Sequence, residues 1–213
     1  VPIGPNISAA TTVTFTAPKA ANVLAPVSSF NGDLVVANIG SPQELIDEQP
    51  SELYLAERSD AGDWLRQTEF TSGSYKNKRG HSLIVAGSKN YTGAAVLAGN
   101  AAIRSGVGLV TIATPEGSLD AVVSRVQPEV MVRGLKQNDG GSAVDLTDAE
   151  LAALLKGIDC VAVGSGLSAE SEETRSFVQR IVEQRHTPTI IDADGLTALS
   201  PWIAQGSAEL PLV

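Results

Sequence analysis

The sequence predicts an α/β fold, a mainly parallel sheet with helices on both faces, preceded by a short β-rich segment. Three observations carry this. Apolar runs of four to six residues recur after position 80, as strands buried on both faces require. Longer amphipathic segments with helix-start signals separate them. Only 4% of the 213 residues are aromatic, so the core rests on Val, Ile, Leu and Ala.

The organising stretch is 82–115. Leu83-Ile84-Val85-Ala86 is closed by Gly87-Ser88, a polar turn follows, an Ala-rich segment runs from Gly93 to Ser105, and Leu109–Ala113 is apolar again. Strand, turn, helix and strand in about thirty residues make one βαβ unit, which needs a right-handed crossover and parallel strands. Ala94, Ala95, Ala98, Ala101 and Ala102 form a small-residue face that lets the helix approach the sheet.

Taken in order, Thr11–Thr16 alternates polar and apolar residues with Val13 and Phe15 on one face, which predicts a half-buried strand. After the turn Asn31-Gly32, a second strand spans 33–39. Gln43–Gln49 fits two helical turns stopped by Pro50. Ser59–Gln67 fits a short helix capped by Ser59 or Asp60, and 68–80 reads as a loop or linker. Strands follow near 82–86, 108–113, 159–164 and 188–192, and helices near 92–105, 116–126, 147–156 and 171–185. Thr147 with Glu150 three residues on is a capping box, and Ser171-Glu172-Glu173-Thr174 opens the next helix in a related way. Three segments result: 1–42, 43–80 and 81–213.

A net charge of −9 gives no support for nucleic-acid binding. No apolar stretch reaches the roughly 20 residues that span a bilayer, so no membrane partner is expected. The one cysteine, Cys160, lies in the apolar run 158–163 and reads as a buried small hydrophobe, compatible with a reducing compartment. The first residues show no signal peptide, and 210–213 looks like the start of a strand, so both ends look cut.

Four segments are candidates for binding. The turn Gly87–Gly93 matches neither a P-loop, since Ala94-Ala95 replaces Lys and Ser/Thr, nor the GxGxxG dinucleotide fingerprint. It is a glycine-flanked strand-to-helix turn, where either a ligand approaches the backbone at Gly93 or the helix packs tightly with no ligand. Gly106-Val107-Gly108 follows a helix, so Gly106 reads as a left-handed residue at its C-terminus. Val163–Leu167, with Gly164 and Gly166 at a strand end, leaves room for a phosphate or sugar, or is a plain loop. Asp192 and Asp194 follow a buried strand. They suit a metal or a substrate hydroxyl, or Asp194 caps a helix from Leu196 to Leu199. His81 and His186 lack a third ligand nearby, so no metal site is expected.

As a set, AGSKNYTGAAVLAGNAAIRSGVGLVTIATP (86–115), VGSGL (163–167) and IIDADGLTAL (190–199) resemble the ADP/ATP-dependent NAD(P)H-hydrate dehydratases, ribokinase-like repair enzymes. TVTFTAPKA and GDLVVANIGSP, within the first forty-two residues, resemble the last strands of the NAD(P)H-hydrate epimerase domain that precedes the dehydratase in bifunctional chains. On this resemblance 1–42 is the end of a Rossmann-like epimerase domain, 43–80 a linker, and 81–213 the first part of a ribokinase-like dehydratase domain. The implied reaction converts (6S)-NADH-hydrate or NADPH-hydrate to the reduced cofactor with ADP or ATP and Mg2+. Epimerisation of the R and S hydrates would use K+. The resemblance implies that Gly93, Ala94 and Gly166 contact the hydrate, with Asp192 and Asp194 as weaker candidates. It also implies a cytoplasmic homo-oligomer. The family's Gly-x-Gly-Asp, whose Asp is the catalytic base, is expected beyond Val213, so the 213 residues alone are expected to be inactive. Asn77 where the family often has Gly, and Ser165 where Pro is common, are departures. Another ribokinase-like small-molecule kinase, or a non-catalytic dinucleotide-binding module, is the alternative.

Overall fold

The computed structural model describes residues 4, 6–49 and 55–201, and the chain divides into two units, 1–64 and 65–213. Pro50 and the strand expected at 210–213 lie outside the described residues.

The first unit holds β1 (Thr11–Phe15), α1 (Ala20–Val23), β2 (Asp33–Ala37) and α2 (Gln43–Asp47). The two strands pair in parallel, with Val13 opposite Val35 and Phe15 opposite Ala37. Val13 and Phe15 share one face of β1, and it is the more exposed one. Val13 and Phe15 are each 55% exposed, while Thr14 between them is 8% exposed. The covered side is the one that Lys19 folds over, its Nζ donating to Thr14 Oγ1 at 3.0 Å. α3 (Arg58–Gln67) spans the division between the units. It starts one residue before the expected Ser59. Asp60 lies in its first turn and accepts from the Glu57 N–H at 2.8 Å, so it reaches back to the chain entering the helix rather than capping it from outside.

The second unit is built on five strands: β3 (His81–Val85), β4 (Leu109–Pro115), β5 (Val130–Leu135), β6 (Cys160–Val163) and β7 (Thr189–Ile191). All pair in parallel, in the order β5-β4-β3-β6-β7. The helices are α4 (Thr92–Arg104), α5 (Leu119–Val123), α6 (Asp148–Leu155), α7 (Glu172–Glu183) and α8 (Asp194–Leu199). The helix expected over 116–126 is a 3-10 turn, Glu116–Ser118, followed by the short α5. β5 has no counterpart among the expected strands.

Alternation along each strand sends side chains to opposite faces. Leu83, Val85, Val161 and Val163 face α6, α7 and α8, in a core centred on Phe177, Leu151 and Ile181. Each such side chain, fully buried, contributes about 1.5–3 kcal/mol. Ile84, Val110 and Ile112 interact in a second core with Ala95, Val96 and Val122. Gly99 makes the closest approach there: a Cβ on it would sit 2.4 Å from Ile112 Cδ1. Ala95, Ala98 and Ala102 face this core as expected, but Ala101 is exposed.

Among the described residues, the second face of β6 and β7 is only partly covered. Cys160 is half-buried rather than buried, because its face, with Ala162 and the 45% exposed Ile190, borders an apolar cavity of about 420 Å3. Burial still pushes the Cys160 thiol pKa up, away from the reactive thiolate.

Candidate active site

The strand order reverses direction at β3. The chain runs outward from β3 through β4 to β5, then returns to place β6 on the other side of β3. At such a switch point the connections leave the sheet in opposite directions, and a crevice opens beyond the carboxyl ends of the two central strands. Here the crevice lies between the turns that leave β3 and β6.

Backbone hydrogen bonds stitch these turns together. The Gly164 N–H donates to the Val85 carbonyl at 3.1 Å, and the Gly87 N–H donates to the Ser165 carbonyl at 2.9 Å. Two glycines make the approach possible. Gly164 has φ +131°, and a Cβ on it would lie 1.9 Å from the Asp192 carbonyl oxygen. Gly166 has φ +70°, and its Cβ would lie 2.8 Å from Ala94 Cβ and 2.9 Å from Tyr91 Cβ. The turn after β6 is thus pressed between the turn after β7 and the first turn of α4. Three of the four candidate segments meet at this one sheet edge. The fourth does not: Gly106, φ +97°, follows the last residues of α4 and leads into the start of β4, the structural role expected for it.

A cleft of about 400 Å3 opens at this junction, lined among others by Tyr91, Gly166, Ser168, Glu170, Arg175 and Asp194. Of the five predicted residues, Gly166 and Asp194 line it. Ala94 packs against Gly166. Gly93 is half-buried in the first turn of α4, and the nearest atom to its Cβ position is Arg125 Nη2 at 3.8 Å, so its backbone stays approachable. Asp192 is exposed and accepts a hydrogen bond from Ser165 Oγ at 3.1 Å.

The helix-cap reading of Asp194 is corrected. α8 begins at Asp194 itself, the residue before it is Ala193 with φ +47°, and no side chain caps the helix. The Asp194 carboxylate turns instead to the neighbouring strand end and accepts the Ser168 N–H at 2.9 Å. Ser168 has φ +59°, and its hydroxyl pairs with that of the buried Ser88 at 3.1 Å.

Tyr91, Ser168 and Arg175 were not singled out from the sequence. Tyr91 sits in the polar turn that was, and its place directly before the helix was the available signal. Arg175 lies in the first half of α7, where Nε donates to the Ala169 carbonyl at 2.9 Å. The polar loop 137–142 also returns to this region, with the Lys89 N–H donating to the Gly141 carbonyl at 3.0 Å.

Hydroxyls, one guanidinium and two carboxylates suit a polar ligand carrying hydroxyl and phosphate groups. Among the described residues there is no group of three His, Cys, Asp or Glu side chains arranged to hold a metal ion. His81 opens β3, whereas the cleft lies beyond that strand's carboxyl end, and its Nε2 pairs with Thr111 Oγ1 at 2.8 Å. No described helix is long and apolar enough to cross a membrane.

Residues 82–209 match the family of NAD(P)H-hydrate dehydratases. The chain is similar to the bifunctional NAD(P)H-hydrate repair enzyme Nnr of Moorella thermoacetica, 35% identical over 198 residues, covering 92% of this chain and 36% of that protein. It is similar also to the enzyme of the same description from Thermofilum pendens, 32% identical over 198 residues, covering 93% and 36%. The chain therefore spans about a third of the length of these curated relatives. In architecture it is similar to a ribokinase-like superfamily protein of Enterococcus faecalis V583, with a TM-score of 0.57 at 24% identity over 70% of this chain and 50% of that one. That likeness shows the fold.

Proposed function

This chain belongs to the NAD(P)H-hydrate dehydratase family, and on that premise we propose that its strand-end cleft receives the hydrated nicotinamide nucleotide. The observation that carries the proposal is the junction of Gly166 with Ala94 at the switch point, because it joins the two family-like turns into one ligand-sized opening. Gly93, Ala94 and Gly166 supply a surface of backbone and small side chains against which a flat, partly saturated ring can lie. Asp194 also lines the opening.

The reaction is the dehydration of (6S)-NADH-hydrate or NADPH-hydrate at the expense of ADP or ATP. Phosphoryl transfer to the ring hydroxyl converts a poor leaving group into phosphate. Loss of that phosphate with a proton from the adjacent ring carbon restores the double bond. The described residues contribute substrate positioning, which alone accounts for several kcal/mol of barrier lowering in reactions of this kind. The repair enzymes to which the chain is similar are bifunctional. We propose that the dehydratase works beside an epimerase that converts the R hydrate to the S form.

The test uses the full-length protein with (6S)-NADPH-hydrate, Mg2+ and either ADP or ATP. The expected result is return of the reduced-nicotinamide absorbance only when a nucleotide is present. Failure with both nucleotides, together with phosphorylation of a sugar or a hydroxymethylpyrimidine, would transfer the chain to another ribokinase-like activity.

A further inference from the structure

We propose that Asp194 is a positioning residue, whose carboxylate holds the turn after β6 in the shape that lines the cleft by accepting the Ser168 N–H. The inference rests on the substrate reading given above for this cleft, and it assigns Asp194 a role other than contact with the substrate.

Four observations support it. First, the acceptor is committed: Asp194 Oδ2 lies 2.9 Å from the Ser168 nitrogen, across 26 residues of sequence. Second, strain lies at one end of this bond and directly beside the other. Ser168 at φ +59° and Ala193 at φ +47° are two of only three non-glycine residues with positive φ among the described residues. Such conformations cost on the order of 1–3 kcal/mol each and persist only where surrounding contacts fix them. One hydrogen bond joins the two strained turns, which is the arrangement that fixes them. Third, the Ser168 hydroxyl is held from the opposite side by Ser88, which is 2% exposed. The segment 164–168 is therefore gripped from the β3 turn and the β7 turn at once. Fourth, the residue that this grip presses inward is Gly166, already in contact with Ala94 and Tyr91. A shift of Ser168 moves the cleft wall.

A positioning acceptor and a charged ligand to the substrate differ in what they require. The first needs an oxygen lone pair at one point. The second needs the negative charge. Asp194→Asn keeps an acceptor and removes the charge, whereas Asp194→Ala removes both.

The experiment measures steady-state kinetics of full-length wild type, Asp194→Asn and Asp194→Ala on (6S)-NADPH-hydrate, with amide hydrogen exchange at Ser168 for each. The Asn variant is expected to keep Ser168 protection within about twofold of wild type and to lose clearly less kcat/KM than the Ala variant. The Ala variant is expected to lose Ser168 protection and to fall on the order of tenfold to a hundredfold in kcat/KM, mostly through KM, as small misplacements at a binding wall do. If Asn is as impaired as Ala, the charge itself is required and the proposal is overturned. It is overturned equally if Ala matches wild type. If the Ala variant does not fold, Asp194→Asn decides alone, with wild-type exchange at Ser168 supporting the proposal and its loss refuting it. If wild type does not act on the hydrate, the substrate reading fails, while Ser168 exchange in the variants still tests the positioning role.

Discussion

A methyl group at Gly164 would enter the space of the Asp192 carbonyl oxygen at 1.9 Å and of the Gly195 nitrogen at 2.6 Å. Neither is the free end of a side chain, so backbone has to move. Gly164→Ala is expected to destabilise the second unit by about 1–3 kcal/mol, read as a lower urea midpoint at unchanged slope. The sequence marks Gly164 and Gly166 as turn residues because they follow an apolar run. It does not say what each glycine admits. For Gly164 that is the β7 turn, and for Gly166 it is the first turn of α4. Asp194 shows the same limit. An acid before a short helix satisfies the local rule for a cap, and only the neighbouring strand end, 26 residues away in sequence, reveals the competing donor.

Elements with complete local signals were the legible ones. Thr147 and Glu150 form the expected box at the start of α6: the Thr147 N–H donates to Glu150 Oε2 at 2.9 Å, and the Glu150 N–H donates to Thr147 Oγ1 at 3.3 Å. The Ser171 hydroxyl caps α7 by accepting the Thr174 N–H at 3.2 Å. Lys136, at the end of β5, adds an ion pair to Glu150 at 2.6 Å. The Lys136 ammonium, with the Thr147 N–H and hydroxyl, holds the Glu150 pKa down at about 2, from an ordinary 4.5. A carboxyl lowered on folding gives stability that is complete above its unfolded pKa and is lost as pH falls through its folded one. The box and its lysine thus strengthen the fold above pH 4.5 and lose that contribution between 4.5 and about 2. Glu150→Gln is expected to flatten this part of the stability profile, followed by urea unfolding at successive pH values. β5 was the illegible element. Its Val130 and Leu135 are buried and its Met131 and Arg133 exposed, the pattern of an edge strand. Arg133-Gly134 interrupts the apolar run, and the alternation Val130, Val132 is too short to stand against it. β1 shows a related limit: alternation identifies two faces but does not say which one is covered.

At the scale of the molecule, the two cores of the second unit lie on opposite faces of one sheet and, among the described residues, draw on those after position 82. The alternation of strands and helices was readable because buried parallel strands are apolar throughout. The strand order was not, since nothing in the residues of β3 declares that two strands will pair on one side of it and two on the other. The cleft depends on that order.

Ser88 and Ser168 meet across 80 residues of chain, and Gly164 closes against a turn that follows β7. On a ribosome, the first strand of this sheet emerges long before the strands that finish its central crevice. Until Asp194 is in place the Ser168 N–H lacks its acceptor, however well β3, β4 and β5 have paired. Non-local pairing of this kind forms slowly. A ligand that binds the finished cleft favours the folded chain by mass action, and does nothing for a chain arrested before β7. The same junction that shapes the opening also ties together the ends of β3, β6 and β7, which lie far apart along the chain.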